Sequence, residues 1–421
     1  MTGCRPLRIF LCALMIGIWL CVPTARAAPP IMRAEEFLDS IAVNLHLPYT
    51  DGGYMSGSET LRALNYLGVR FVRDHAIGPK MQPESLQNFE KFGAAGISFD
   101  MIVNGGDIPR NLANLSAYEQ KHPGAIHAIE GPNEVNNWPV SYDGKTGTAG
   151  AVAYQQALYD AVKADPVLKD VPVYNFTNWP YSAGKSDFAN IHPYAKKGRQ
   201  PYEVIQGELG AVTSLMPGRP AVVTETGYYT LPKPGVGWGG VDEPTQAKFF
   251  VNLYLDAALL GVKRSYLYQL LDAYPDPQGK DQEKHFGLFD LSYKPKPAAT
   301  ALRTLRTLLH DSDPAARSFD ARPFSATITG LPPGAKTLKL QKADGTDIIA
   351  IWDEPDIWDE TAGQAIAVPP KTVTISLAEA RGWISAYVPA AGNQPVASAS
   401  SSQQLAVQLS DTAILVVIAP K

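Results

Sequence analysis

The sequence predicts an α/β protein, a (β/α)8 TIM barrel followed by a C-terminal antiparallel β-sandwich domain. Eight short apolar segments alternate with helix-like segments over about 250 residues, which is typical of a parallel barrel with right-handed crossovers. After residue 312 the chain changes to short β-rich runs separated by turn residues. Runs of this kind indicate a small antiparallel sandwich.

The eight strand candidates are apolar runs bounded by turn residues. They are residues 41–47, 69–74, 98–103, 125–131, 171–176, 187–193, 221–225 and 264–271. Helix-like segments with apolar residues at three- and four-residue spacing lie between most of them, as at 56–68, 148–165 and 242–261.

The link between the fifth and sixth strands is unusual. Its sequence, "TNWPYSAGKS", is too short and too rich in turn residues for a helix, so we expect a degenerate fifth helix. An open doubly wound sheet is the alternative fold. That fold requires a Gly-rich phosphate-binding turn after the first strand, and "NLHLPYTDGGY" is not one.

The N-terminus has the pattern of a secretory signal peptide. Arg5 and Arg8 precede an apolar run from Ile9 to Val22. The small-residue cleavage signal Ala25-Arg26-Ala27 follows this run. A membrane anchor is the alternative, but the run is shorter than the roughly 20 residues that a span requires. We therefore expect a signal peptide at 1–27, a barrel at 28–312 and a sandwich at 313–421, in a secreted or periplasmic protein.

Charge and cysteine content restrict the partners of the exported chain. All three cysteines lie inside the predicted signal peptide, so the mature chain would contain neither disulfides nor thiols. Without that segment 34 basic residues face 41 acidic ones, a net charge of −7. This charge disfavours nucleic acid and anionic membranes, which attract basic surfaces. We expect a monomer with no membrane association after signal removal.

Two glutamates follow predicted barrel strands. Glu134 comes after the fourth strand in "AIEGPNE", and Glu225 ends the seventh in "AVVTETG". Because the carboxyl ends of barrel strands meet at one face, the two side chains should share a pocket. A retaining glycosidase needs two carboxyls about 5–5.5 Å apart, one to protonate the leaving oxygen and one to attack the anomeric carbon. Either glutamate alone would more often be a solvated or helix-capping residue.

These stretches resemble the acid/base and nucleophile signatures of clan A retaining glycoside hydrolases, which include family 5 cellulases and family 39 enzymes. The resemblance covers about residues 40–310 and includes "VRFVRDH", "NIHPY" and "HFGLFDLSYKPKPAATAL". It implies that Glu134 is the acid/base and Glu225 the nucleophile. It also implies that Asn133 binds both the substrate 2-hydroxyl and the nucleophile.

The same resemblance implies roles for residues at other strand ends. Arg73 would keep Glu225 ionised and Tyr194 would donate a hydrogen bond to it. His192 and His46 are candidates for substrate contact, although a buried histidine is more often part of the core. The clan commonly has a Trp at strand eight, where this sequence has Tyr268, Gln269 and Tyr274 instead.

Aromatic residues are frequent in the predicted loops above the barrel. Flat rings stack on the apolar faces of sugars, so a row of them suits several sugar subsites. The alternative is that half of them cap the barrel core. The main substrate-binding candidates are Trp138, Trp179, Tyr228, Trp238 and Tyr268.

The sequence thus predicts an exported retaining glycosidase that binds a polysaccharide or oligosaccharide and acts on it internally. A catalytically inactive carbohydrate-binding protein and a transglycosylase remain open alternatives. We expect no cofactor and no metal, because the mature chain has no cysteine and its histidines do not occur as a helical pair. The acidic loop 272–283 is Pro-rich, and Pro277 stands at its sixth position, where a calcium loop has Gly, so we expect an exposed loop above the cleft.

Overall fold

The computed structural model describes residues 31–78, 81–233 and 235–420. The predicted signal peptide, with its three cysteines, lies outside the described residues. The strands of the first part of the chain are β1 (Met32–Arg33), β2 (Ile41–Asn44), β3 (Phe71–His75), β4 (Ser98–Ile102), β5 (Ile126–Glu130), β6 (Ser141–Tyr142), β7 (Lys145–Thr146), β8 (Val173–Tyr174), β9 (Ala189–Ile191), β10 (Ala221–Thr226) and β11 (Ser265–Leu267).

Eight of these strands form the predicted parallel barrel. Their order is β8-β5-β4-β3-β2-β11-β10-β9, so consecutive barrel strands are hydrogen-bonded neighbours. A parallel bridge between Tyr174 and Phe188 joins the two ends and closes the sheet. Each of the eight predicted strands contains an observed strand or most of one, and the barrel prediction is confirmed.

The helices pack around this barrel. They are α1 (Ala34–Asp39), α2 (Gly57–Leu67), α3 (Pro83–Ala94), α4 (Ile108–Lys121), α5 (Gly147–Ala164), α6 (Tyr202–Leu215), α7 (Glu243–Leu259) and α8 (Pro297–Leu309). Side-chain caps fix several starts: Ser56 accepts from the Glu59 amide at α2, and Asp242 accepts from the Thr245 amide at α7. Residues 175–188, all of them described, contain no helix, as expected for the degenerate fifth link.

The C-terminal region is an antiparallel β-structure packed on the barrel. Its strands are β12 (Ala326–Thr329), β13 (Lys336–Gln341), β14 (Asp347–Trp352), β15 (Trp358–Asp359), β16 (Gln364–Ala365), β17 (Lys371–Tyr387), β18 (Pro395–Leu409) and β19 (Ile414–Ile418). A register shift in the pairing with β18 interrupts the long strand β17, which pairs with β12 before the shift and with β19 after it. The N-terminal β1 adds to β13, so the start of the described chain belongs to this sheet.

Two hydrophobic cores meet along the sandwich strands. Alternate residues of β14 point to opposite faces: Ile348 and Ala350 belong to the core shared with the barrel, and Ile349 and Ile351 to the core of the sandwich itself. The barrel and the sandwich are therefore packed as one body. No helix in the described part of the chain has the length and apolarity needed to cross a bilayer.

Candidate active site

A cavity of about 1100 Å³ opens at the carboxyl ends of the barrel strands. This is the face where a (β/α)8 barrel brings its strand-end loops together. Both Glu134 and Glu225 line the cavity. One carboxylate oxygen of each, together with one ring nitrogen of His192, lie within 4.8 Å of one another.

An unusual backbone conformation places Glu134. The residue has φ of 41°, in the left-handed region that a non-Gly residue adopts at some cost. Thr177 compensates, since its hydroxyl accepts the Glu134 amide hydrogen at 2.8 Å. The Glu134 carbonyl accepts from the amides of Asn137 and Trp138. These contacts hold the carboxylate at the end of β5 although it lies four residues beyond the strand.

Arg73 links the buried polar groups below the cavity. Its side chain is 2 % exposed and donates two hydrogen bonds to Glu130, at 2.7 and 2.8 Å. The same guanidinium donates to Glu225 at 2.5 Å and to Asn133 Oδ1 at 2.8 Å. A buried cation paired and bonded on all sides is rigid. It holds Glu225 in place and leaves the Asn133 amide nitrogen as that side chain's free donor.

His192 and Tyr194 each form a hydrogen bond with one of the two glutamates. Tyr194 donates to Glu225 Oε2 at 3.1 Å, and His192 Nδ1 lies 3.1 Å from Glu134 Oε1. The hydrogen bond with His192 lowers the pKa of Glu134 to about 2, against the opposing effect of burial. Burial would lower the pKa of His192, but the charge of Glu225 and the bond to Glu134 outweigh it and raise that pKa. Both shifts favour a proton on His192 over one on Glu134.

The cavity also brings together most of the predicted sugar-binding residues. Trp138 and Trp179 line its rim and are 70 % and 63 % exposed. Trp138 lies in the segment that follows β5, four residues after Glu134, and Trp179 lies in the segment that follows β8. Trp238, Tyr268 and His46 lie deeper in the same lining.

Tyr228 requires a correction. Its ring is 3 % exposed, stacks on Phe249 at 4.5 Å and lies outside the cavity lining. Its hydroxyl donates to the carbonyl of Arg199 at 2.8 Å. The chain leaves β10 so that this residue points toward α7 and away from the cleft. Tyr228 therefore belongs to the set of aromatic residues that cap the core.

Four functional candidates in the lining were missed in the sequence: Thr177, Lys196, Glu208 and Glu283. Nothing in the local pattern singles out the first three. Glu283 is the last residue of the loop 272–283, which the sequence predicts to lie exposed above the cleft. Its position after strand eight is the signal that could have indicated it.

Within the described ranges, Glu134, His192 and Glu225 bring three possible metal-ligand atoms together. One of these ligands is already bound by Arg73, a buried cation that would repel a metal ion. The geometry instead suits two carboxylates acting in sequence on one bound sugar.

The comparisons with known proteins support the architecture. No protein-family model and no curated protein matches the sequence. Among solved structures, a family 39 glycoside hydrolase from Bacteroides cellulosilyticus WH2 aligns with a TM-score of 0.62 at 15% identity, covering 92% of this chain and 82% of that one. A monomeric beta-xylosidase from Caulobacter crescentus CB15 aligns with a TM-score of 0.59 at 15% identity, covering 94% and 98%.

Both structures span the barrel and the C-terminal region together, because each alignment covers more than nine tenths of this chain. At this identity the similarity shows the fold. The chain thus has the barrel-and-sandwich fold of these two solved structures.

Proposed function

We propose that the protein is an exported retaining β-glycosidase, with Glu225 as the nucleophile and Glu134 as the acid/base. The observation that supports this most directly is the separation of the two glutamates, each of which has a carboxylate oxygen within 4.8 Å of one on the other. Retaining enzymes place their carboxyls about 5–5.5 Å apart, whereas inverting enzymes keep about 6.5–9.5 Å for a water molecule.

In the first step a Glu225 oxygen attacks the anomeric carbon while the glycosidic C–O bond breaks and Glu134 gives its proton to the leaving oxygen. In the second step Glu134 takes a proton from water, whose oxygen attacks the same carbon and releases Glu225. Two inversions retain the configuration. Arg73 and Tyr194 fit this role for Glu225, because they hold a carboxylate oriented toward one position.

The proton for the first step comes from the His192–Glu134 pair. The raised pKa of His192 and the lowered pKa of Glu134 favour the imidazole as the group that carries the pair's proton before substrate binds. Transfer across the 3.1 Å hydrogen bond would make Glu134 the acid. This arrangement reconciles an acid/base role with a carboxyl whose pKa is low in the free site.

We propose further that the enzyme cleaves inside polysaccharides. Two exposed indoles, Trp138 and Trp179, extend the cavity beyond Glu134, where the departing part of the chain must lie. Each indole offers a face for a sugar. Export rests on the N-terminal sequence pattern alone.

The roles of the glutamates can be separated with activated aryl β-glycosides and azide. Glu134→Ala should be rescued by azide and give a β-glycosyl azide, because a good leaving group needs no acid and azide replaces the activated water. Glu225→Ala should be inactive unless azide supplies the nucleophile, and should then give the α product. Glu203→Gln, an exposed change on α6, is the control and should keep full activity. A retained product from Glu225→Ala would reverse the assignment, and full activity of both variants would show that neither glutamate is catalytic.

A further inference from the structure

One wall of the cavity lies beside Glu225 and is formed by His46, Tyr49, Tyr268 and Glu283, which we call the glycone wall. The His46 and Tyr49 rings are stacked at 4.6 Å, and His46 meets Tyr268 edge-on at 5.4 Å. Tyr268 lies in the field of Glu283, and burial together with the charge of Glu283 raises the pKa of the Tyr268 hydroxyl. If the proposed function holds, the anomeric carbon lies between Glu134 and Glu225 and the 2-hydroxyl lies at Asn133. The remaining ring hydroxyls then face the glycone wall.

His46 lacks the partners that a buried polar side chain normally has. It is only 8 % exposed, and neither ring nitrogen has a hydrogen-bond partner. Burial first, and then the nearby His75 and Arg73, lower its pKa to about 3, so the ring is neutral. A neutral imidazole has one donor and one acceptor nitrogen. Since unmet buried polar groups are costly, the ring is suited to a ligand hydroxyl, which can both accept and donate.

Glu283 brings a negative charge to the same wall. It lies at the exposed edge of the cavity, where Gln282 donates to it at 3.0 Å. Burial, and then the charges of Glu225 and Asp281, raise its pKa, while the bonds from Gln282 and Tyr268 oppose that rise. Both of these donors are neutral. Among the contacts described for the Glu283 carboxylate, none is to a lysine or an arginine.

The cations of the cavity lining are engaged elsewhere. Arg73 divides its donors among Glu130, Glu225, Asn133 and Asn44. Lys196 lies over the Trp238 ring at 5.4 Å, within the field of Glu208. His192 bonds Glu134, and His75 lies 3.7 Å from Asp74. The four residues of the glycone wall thus include the carboxylate of Glu283, beside that of Glu225, and no lysine or arginine.

We propose that this wall admits an uncharged glycone and rejects a glycone that carries a carboxylate, with Glu283 as the residue that determines the selection. The inference rests on the proposed glycosidase function and narrows its substrate class to neutral sugars. Hydroxyl groups satisfy both His46 and Glu283, because Glu283 accepts the hydrogen bonds that hydroxyls donate. A uronic acid would instead add a third negative charge beside Glu225 and Glu283. Since Glu283 is partly solvated and therefore screened, we expect a selection of at least about tenfold at low salt.

The test uses matched β-1,4 oligosaccharides that differ only at C6: manno- against mannuronate hexamers, and gluco- against glucuronate hexamers. Binding is measured by calorimetry at neutral pH with full-length Glu134→Gln, which keeps the carboxylates of Glu225 and Glu283 but lacks the acid. We expect a neutral member to bind at least about ten times more tightly than its uronic counterpart, consistent with repulsion between like charges. Adding Glu283→Gln should reduce that ratio to about threefold or less, whereas adding the exposed change Glu203→Gln should leave it unchanged.

Equal or tighter binding of the uronic members would overturn the inference while leaving the glycosidase proposal intact. So would a preference for neutral sugars that survives Glu283→Gln. The glycosidase proposal has its own measurement, the azide rescue of Glu134→Ala. Failure there, together with absence of binding to all four hexamers, would remove the proposed function and this inference with it.

Discussion

His192 links the two proposed catalytic steps, because it contacts Glu134 at 3.1 Å and has a ring nitrogen 3.9 Å from Glu225. Its second nitrogen bonds Thr224 at 2.9 Å, which fixes the orientation of the ring. The proton available to Glu134 is thus a property of the pair. Coupled groups of this kind titrate in steps that belong to both residues.

This coupling predicts a pH effect of His192→Asn. In the wild type the acid is available while the pair holds its proton, so kcat/KM should fall only as pH rises through the raised pKa of His192. In the variant the proton is held by Glu134 alone, so the alkaline limb should move at least about one unit lower. The measurement is the pH profile of kcat/KM on an aryl glycoside. An alkaline limb at the same pH in both proteins would show that His192 holds no catalytic proton.

At the scale of elements, helix α7 joins the barrel to the sandwich through a buried acidic pair. Asp256 is fully buried and accepts from the Trp352 indole at 2.9 Å, while Glu354 is bound by Lys336 at 2.8 Å. Burial, and then the hydrogen bond and charge of Glu354, raise the pKa of Asp256 well above its usual value. Asp256 thus keeps its proton to a higher pH than an ordinary Asp carboxyl does, at the contact of α7 with Trp352 of β14.

Replacing Asp256 with Asn should therefore stabilise the protein at alkaline pH. Because the folded-state pKa of Asp256 is raised, the stability that its proton gives the fold is complete below the ordinary Asp pKa of about 3.8. That stability is lost as the pH rises toward the folded-state pKa, at about 1.4 kcal/mol per pH unit. Asparagine can accept from Trp352 and donate to Glu354 at every pH. The Tm of Asp256→Asn relative to wild type should rise between pH 5 and pH 8. A constant difference would mean that the pKa of Asp256 is not raised in the folded protein.

At the scale of the whole molecule, the barrel and the sandwich are mutually dependent. Their shared core contains barrel residues such as Leu302 and Phe250 together with sandwich residues such as Leu340 and Leu415. β1 adds to the sandwich sheet before the chain enters the barrel. Neither part can be removed without exposing apolar surface that drives association.

A chain that ends at residue 312 should consequently aggregate or unfold at a much lower temperature than the full chain. The loss exposes the apolar face that α7 and α8 present to the sandwich, and leaves β1 without its partner β13. Solubility, Tm and turnover of the two chains, expressed in parallel, provide the measurement. A truncated protein that stays soluble, stable and fully active would contradict this packing role.

The sequence by itself determined the barrel, the order of its strands and the two strand-end glutamates. These features are local or periodic: an apolar run makes a strand, its end is marked by turn residues, and a barrel places every such end on one face. The missing fifth helix was also predictable, since residues between β8 and β9 are too few and too turn-rich for one.

Only the tertiary structure decided which strand-end and loop side chains face the cleft. Tyr228 and Tyr268 are both tyrosines just beyond the end of a barrel strand, yet Tyr228 packs on Phe249 and Tyr268 lines the cavity. Similarly, Glu283 reaches the glycone wall because of the path of its loop, and His192 reaches Glu134 across the barrel. Such contacts join residues distant in sequence, and their directions depend on how loops pack against the whole fold, which no local pattern encodes.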